Sequence, residues 1–310
     1  MQLIPHKLNL HFLRYGKICI GLSIAILIGC VVSLAMRGLN YGLDFTGGTV
    51  IELRYAQAVE IPQVREALAK AGFADAQTQY IGSASEVLIR VPPHAGENSA
   101  GLSNKVLEAL SANGTARPEV RKVEFVGPQV GDELVQSGSL AMVFATVGIL
   151  IYIAMRFEWR LAVGAIAATV HDVVFCIGVF SVFQIEFDLT SLAALLAVIG
   201  YSVNDTVVIF DRIREDFRKL RKTPAEEVIN TAINDTLART IMTSMTTLLA
   251  VVVLYVWGGG AIHNFALIMI IGVLIGTYSS IYIASASALY LGLSREDLLP
   301  KAKEELDAMP

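Results

Sequence analysis

Long uncharged runs divide this chain. Residues 18–36 carry no charge between Lys17 and Arg37, residues 134–155 none between Glu133 and Arg156, and residues 240–262 none between Arg239 and His263. Beyond His263 the next charged residue is Arg295, which leaves room for one long apolar helix. Two more runs, about 161–183 and 189–210, are each interrupted by a carboxylate, Asp172 and Asp205. A hydrocarbon layer about 30 Å thick is crossed by roughly 20 apolar residues of helix. A core helix of a water-soluble domain shows a polar face at helical period, and these runs mostly do not. The pattern predicts six membrane spans.

Residues 38–133, between the first two spans, are polar enough to fold in water. Their pattern predicts a strand near 48–55 and a helix near 60–71, with Ile61, Val64 and Leu68 at helical spacing. Strands follow near 76–81 and 86–91, separated by Gly82-Ser83-Ala84-Ser85, with Pro92-Pro93 stopping the second. A helix near 101–112 and a strand near 119–126 complete a β-α-β-β-α-β order, which is ferredoxin-like. The expected fold class is an α-helical membrane protein with a small α+β domain between its first two spans. Its divisions are residues 1–37, 38–133, 134–293 with a cytoplasmic loop at 211–235, and a tail at 294–310. No catalytic constellation is visible in the α+β domain, where His94 stands alone.

Composition sharpens this picture. Only 17% of the 310 residues are charged, against about 25% in soluble domains, and the mean hydropathy is +0.58. A net charge of -4 supplies no basic stripe for nucleic acid. Cys19, Cys30 and Cys176 all lie in apolar runs without metal-ligand spacing and read as small core hydrophobes.

The excess of Lys and Arg on cytoplasmic loops orients the spans. A cytoplasmic amino terminus puts Lys7, Arg14, Lys17, Arg156 and Arg160 inside, with the run Arg212, Arg214, Arg218, Lys219, Arg221 and Lys222. The tail adds Arg295, Lys301 and Lys303, whereas the short outer loops Gln184–Asp188 and Gly258–Ile262 hold no Lys or Arg. Both termini are then cytoplasmic and residues 38–133 periplasmic. Ser33-Leu34-Ala35 resembles a signal cleavage site, but the uncharged stretch before Arg37 runs 19 residues, longer than the usual ~7–15. An uncleaved anchor is expected.

Two motifs stand out. Gly42-Leu43-Asp44-Phe45-Thr46-Gly47-Gly48 follows the first span, and its glycines supply backbone angles closed to other residues. Gly200-Tyr201-Ser202-Val203-Asn204-Asp205-Thr206 leads into Asp211-Arg212-Ile213-Arg214-Glu215. With six spans and a domain after span one, the chain resembles the SecF family, in the SecD/SecF branch of the resistance-nodulation-division superfamily. The motif residues carrying the resemblance are Gly42, Asp44, Phe45, Gly47, Gly48, Asn204, Asp211 and Arg212. The resemblance implies an inner-membrane accessory subunit of protein export, not an enzyme, that pairs with SecD beside the SecYEG channel. It implies use of the proton-motive force, without a cofactor, to draw unfolded polypeptides across the bilayer. It also implies a proton pathway through a fourth-span aspartate and a fifth-span arginine, here Asp205 and Arg239.

Physical chemistry singles out Asp205 independently. A charge near mid-bilayer costs roughly 2.5–3.5 kcal/mol on insertion scales, and burial favours the protonated form of a carboxyl group. Counting about 1.5 Å per residue from Leu189 puts Asp205 roughly 24 Å along its helix, towards the cytoplasm. Arg239 begins the next span from that side. Pairing of the two would ease both insertion costs; the alternative for Arg239 is an anchor that snorkels to the headgroups. Thr236, Arg239, Thr240, Thr243, Thr246 and Thr247 form one polar face of span five, and Tyr201 and Ser202 lie one turn before Asp205. These hydroxyls serve equally as relay or as interhelical glue. Asp172, beside His171, sits about 16 Å into span three and is a secondary relay candidate. His6, His11 and His263 read as interfacial, and no metal site is indicated.

Two features read as structural. Thr223-Pro224-Ala225-Glu226 has a capping-box pattern that starts a short helix running into span five. Gly272 and Gly276 permit a close approach to span six, by SecD or by another span. Three other functions stay open: a half-transporter of a proton-driven small-molecule exporter, an intramembrane aspartyl protease, and a scaffold. The protease lacks its Gly-x-Gly-Asp motif, since Asp205 follows Ser-Val-Asn.

Overall fold

The computed structural model describes residues 10–81, 83–92, 99–112 and 118–298. His6, Lys7, Gly82, Pro93, His94, Lys301 and Lys303 lie outside the described residues. The chain forms two compact units, Tyr41–Leu140 and Met1–Asn40 with Ala141–Pro310.

The smaller unit holds the α+β domain. Its strands are β1 (Gly48–Arg54), β2 (Gln77–Ile81), β3 (Ser83–Val91) and β4 (Glu119–Val126), with α1 (Ile61–Lys70) and α2 (Ser99–Ala112) between them. The sheet runs β2-β3-β1-β4 with every neighbour antiparallel, the ferredoxin-like arrangement. Alternation along β1 and β3 sends Ile51, Leu53, Val87, Ile89 and Val91 to one face, where they meet Val64 and Leu68 of α1 and Leu102, Val106 and Leu110 of α2. Burial there pushes the Tyr55 phenol up to about 12.

Ser83, Ala84 and Ser85 differ from their expected place in a loop. They belong to β3, because the Tyr55 and Val59 N–H groups donate to the Ser85 and Ala84 carbonyls and extend the ladder past the apolar run. Side-chain pattern sees only the apolar part of such a strand.

The Gly42–Gly48 motif folds as one turn of helix, Leu43–Thr46, between glycines. Gly47 and Gly48 have φ of 65° and 117°. A Cβ on Gly48 would lie 2.5 Å from the Val91 carbonyl oxygen, so only glycine lets β1 begin there.

The larger unit is built from helices long and apolar enough to cross a membrane, six in the described residues. Spans one to five are Phe12–Arg37, Gln129–Arg156, Trp159–Phe183, Leu189–Lys219 and Ala225–Trp257; the helix of span two draws residues from both units. Span six runs Gly260–Tyr290 and contains a π-helical segment, Ser280–Ser285. About half of spans four and six is buried (50% and 56%), against 11% of spans one and two. With span three at 44%, the buried centre is therefore spans three, four and six.

Glycine sets the closeness of this centre. A Cβ on Gly272 would collide with Val198, and one on Gly276 would lie 3.2 Å from the Ser202 Cβ. The small face of span six thus packs against span four of the same chain.

Three boundaries differ from the sequence expectation. Residues 211–235 are mostly helical, because span four continues to Lys219 and span five starts at Ala225. Span five starts one residue late for the capping box: Pro224 occupies the cap and no side chain caps the helix. The loop expected at 258–262 shrinks to Gly258 and Gly259, since Gly259 takes φ of 77° and lets span six begin at Gly260.

Side chains also tie down the chain before span one. Asn230 accepts from the Phe12 N–H and donates to the Leu10 carbonyl, while Asn234 accepts from the Leu10 N–H and donates to the same carbonyl. Two helix-borne amides thereby satisfy this backbone as a neighbouring strand would. Near the other end, Ser294 donates from its hydroxyl (2.6 Å) and its N–H (2.9 Å) to Asp297. With Arg160 alongside, these bonds hold the Asp297 carboxyl below the usual range.

The tight span four–span six contact is testable. Gly272→Ala should destabilise the protein by about 1–3 kcal/mol through overpacking, seen as a lower thermal midpoint, and adding Val198→Ala should recover part of the loss. An unchanged midpoint in Gly272→Ala would contradict this packing.

Candidate functional site

Asp205 and Asp172 lie in the buried centre, 7% and 1% exposed. Asp205 Oδ1 accepts from Thr240 of span five at 2.7 Å, and Oδ2 accepts from Ser280 of span six at 3.0 Å. Asp172 Oδ2 accepts from Ser202 of span four at 2.5 Å and Ser279 of span six at 2.7 Å, while Oδ1 meets His171 Nδ1 at 2.8 Å. Every carboxylate oxygen has a partner, as burial requires.

The two acids share a neighbourhood. Ser202 and Asp205 are three residues apart, hence on one face of span four, and Ser279 and Ser280 are adjacent where the π-helical segment begins. A second hydroxyl chain runs beside them: Tyr201 donates to Ser244 at 3.2 Å, and Ser244 lies 2.8 Å from Thr277 Oγ1. His171 stacks on Phe175 and tilts against Tyr278, whose hydroxyl reaches Ser23 and the Cys19 carbonyl of span one. The centre therefore draws polar groups from spans three to six and connects to span one.

Arg239 does not join it. Its side chain is exposed and forms no ion pair with Asp205; its neighbour Thr240 takes that place. Of the threonine face on span five, Thr240 reaches Asp205. Thr236, Thr243, Thr246 and Thr247 donate to carbonyls three or four residues back on their own helix. Such back-bonding is the local alternative open to any helical threonine. Ser279, Ser280, Ser244 and Thr277 were not singled out from the sequence. Their signal is faint, because a serine in a run of small residues reads first as packing.

The Asp211–Arg212 motif has a different role. Arg156 of span two donates to both oxygens of Asp211 at 3.0 Å. Arg212 binds Asp235 of span five, lies 2.9 Å from Glu215, and faces the buried Asp216 at 3.2 Å. Arg214 pairs with Glu158 at 3.5 Å, and Lys219 with Glu215 at 2.5 Å. Much of the basic run is thus an ion-pair belt joining spans two, four and five, while Arg218, Arg221 and Lys222 are exposed. Asn204 is also exposed, beside a groove of about 540 Å³ lined by Phe144, Gly148 and Tyr152 of span two and Gly200 and Val207 of span four. Of the remaining histidines, His263 stacks on Tyr255 at 4.2 Å and His11 is exposed.

A bundle of six apolar helices with two carboxylates bonded to hydroxyls in its core, and a ferredoxin-like domain after its first helix, defines a multi-pass membrane protein. Family comparison makes it specific. Residues 105–294 match the family "Protein export membrane protein SecD/SecF, C-terminal", and residues 32–59 match the "SecD/SecF GG Motif". The chain is 45% identical to the protein translocase subunit SecF of Vibrio alginolyticus, covering 100% of this chain and 99% of that one. It is 46% identical to SecF of Escherichia coli O157:H7, covering 95% and 91%. Among solved structures, SecDF from Thermus thermophilus, described as a translocon-associated membrane protein, superposes with a TM-score of 0.83 at 35% identity over 93% of this chain. SecDF in a super-membrane-facing form gives a TM-score of 0.69 at 35% identity over 94% of this chain. The chain spans 39% of the length of each SecDF chain. It belongs to the SecF family of protein translocase subunits.

The ion-pair belt makes a testable prediction. Arg212→Gln leaves the buried Asp216 charge uncompensated and should cost up to about 3 kcal/mol. Arg212→Gln with Asp216→Asn should restore most of that loss in thermal unfolding; a double variant as unstable as the single one would contradict the pairing.

Proposed function

We propose that this subunit works with SecD beside the SecYEG channel, using the proton-motive force to promote movement of unfolded polypeptides across the inner membrane. The single observation carrying this reading is Asp205: a buried acid on a membrane span that accepts from two hydroxyls, with no cation paired to it among the described residues. An ionised group so placed is expensive, and a proton cancels that charge. Binding and release of a proton then alternate between two electrostatic states of the same helix contacts.

Asp205 is the principal proton site in this reading and Asp172 a secondary one. Arg239 acts from the adjacent position to Thr240, and its pairing with Asp205 belongs to a second state in which Thr240 has given up its bond. No catalytic group or cofactor is invoked. Moving one charge through 100 mV releases about 2.3 kcal/mol, enough to bias a conformational step.

The distribution of Lys and Arg supports cytoplasmic termini and a periplasmic α+β domain. Exposed Asn204, in its groove between spans two and four, supports a membrane partner on that face, since a polar amide is costly against lipid tails. We assign SecD there.

Reconstituted vesicles containing SecD and SecYEG test the reading. Asp205→Asn should lose the proton-gradient-dependent part of polypeptide export while still inserting and co-purifying with SecD. Export that responds to the gradient as in the unsubstituted protein would overturn it.

A further inference from the structure

The hydroxyls around the two acids are not equivalent. Thr240 and Ser202 each donate to a carboxylate, and no second acceptor for either occurs among the described residues. Ser279 and Ser280 each have two acceptors within reach. Ser279 Oγ lies 2.7 Å from Asp172 Oδ2 and 3.2 Å from the Gly276 carbonyl; Ser280 Oγ lies 3.0 Å from both Asp205 Oδ2 and the Thr277 carbonyl. A hydroxyl owns one proton and two lone pairs. It therefore donates fully to one of these acceptors at a time, and can accept from a protonated carboxyl group while donating to its own helix.

Their position gives this choice a consequence. Adjacent residues of a helix point about 100° apart, so one turn of span six addresses Asp172 of span three and Asp205 of span four. The same turn is where α-helix gives way to π-helix. The Ser280 N–H donates to the Gly276 carbonyl, the second acceptor of Ser279, and Ser285 returns a bond to the Ser280 carbonyl at 2.9 Å. π-Helical insertions are often placed at functional sites.

We propose that Ser279 and Ser280 are positioning residues that couple the protonation of Asp172 to that of Asp205, each turning its hydroxyl proton between a carboxylate and a carbonyl of span six. When a proton binds Asp205, an O–H bond forms on the carboxyl group, no covalent bond of Ser280 breaks, and the hydrogen bond from Ser280 to the carboxylate is given up. The carboxyl then donates to Ser280, whose proton swings to the Thr277 carbonyl. Ser279 does the same between Asp172 and the Gly276 carbonyl. Loading these carbonyls alters the last α-helical bonds before the π segment, and the neighbouring serine feels that change through the shared backbone.

Other titratable groups face the two acids and belong to the same balance. His171 and Cys176 of span three lie by Asp172, with Tyr278 of span six against His171. Arg239 of span five acts on Asp205 from a distance, and Tyr201 enters through Ser244 and Thr277.

The inference rests on the reading that the buried acids exchange protons, and infrared difference spectra separate the two. The full chain in lipid vesicles is titrated while the carboxyl C=O stretching bands are followed, with Asp172→Asn and Asp205→Asn assigning each band. Absence of any titrating band from Asp205 defeats the proton-exchange reading itself. With both bands present, Asp172→Asn should shift the midpoint of the Asp205 band, and Ser279→Ala with Ser280→Ala should abolish that shift. Cross-talk undiminished in the double alanine variant overturns the proposal, because direct electrostatics then suffices. The single variants guard against misfolding: Ser280→Ala should move the Asp205 band frequency and Ser279→Ala the Asp172 band. Bands that stay in place in both variants also overturn it.

Discussion

A carboxylate in hydrocarbon must be given hydrogen-bond donors or lose its charge, and the centre of this protein is arranged around two of them. Donors must come from neighbouring helices, since each span consumes its own backbone bonds internally. Ser202, Ser279, Ser280 and Thr240 have short side chains, so they reach Asp172 and Asp205 only if the helix axes are close. Glycine provides that closeness. Gly272 and Gly276 let span six approach Val198 and Ser202 of span four, which brings Ser279 and Ser280 to the acids one turn later. Packing and polar satisfaction are therefore one constraint: a bulkier residue at Gly276 would push away the hydroxyls that make burial of the acids tolerable.

The ends of the bundle are held by different chemistry. Where the spans leave the apolar layer, charges can be paired, and Arg156–Asp211 with Arg212–Asp235 join span two to span four and span four to span five. The paired amides of Asn230 and Asn234 fasten the chain ahead of span one to the start of span five. The buried centre thus holds hydroxyls and one imidazole around its acids, and the helix ends hold ion pairs. This separation leaves Asp205, bonded to two hydroxyls, as a group whose charge can change without breaking a salt bridge among the described residues.

Much of the fold was legible in the sequence because lipid imposes a simple requirement, about 20 apolar residues per crossing. The α+β domain was legible through its alternation of strand and helix periods. Asp172 and Asp205 were visible because charges are so rare in such runs. Of their partners, His171, Ser202 and Thr240 stood out in the sequence, and the two on span six did not. Ser279 and Ser280 sit among small residues where packing is the ordinary explanation, and no local pattern distinguishes a hydroxyl aimed at an acid from one bonded to its own helix. The threonine face of span five shows the converse, since a conspicuous stripe contributes one donor, Thr240. Asp211 was visible only as a motif residue and Arg212 also as part of the basic run that orients the spans, because their partners Arg156 and Asp235 lie 55 and 23 residues away. The turn between spans five and six was misplaced because two glycines close it in fewer residues than composition suggests.

Everything in the proposed mechanism depends on Asp205 changing its protonation state within the membrane. Solid-state NMR of the full chain in lipid, with carbon-13 in the aspartate carboxyl groups and Asp205→Asn to assign the signal, measures that state directly. The expected result is an Asp205 resonance that moves between its protonated and ionised positions as the pH is varied across the range in which the protein works. A resonance fixed at one position throughout that range would contradict the proton-driven role.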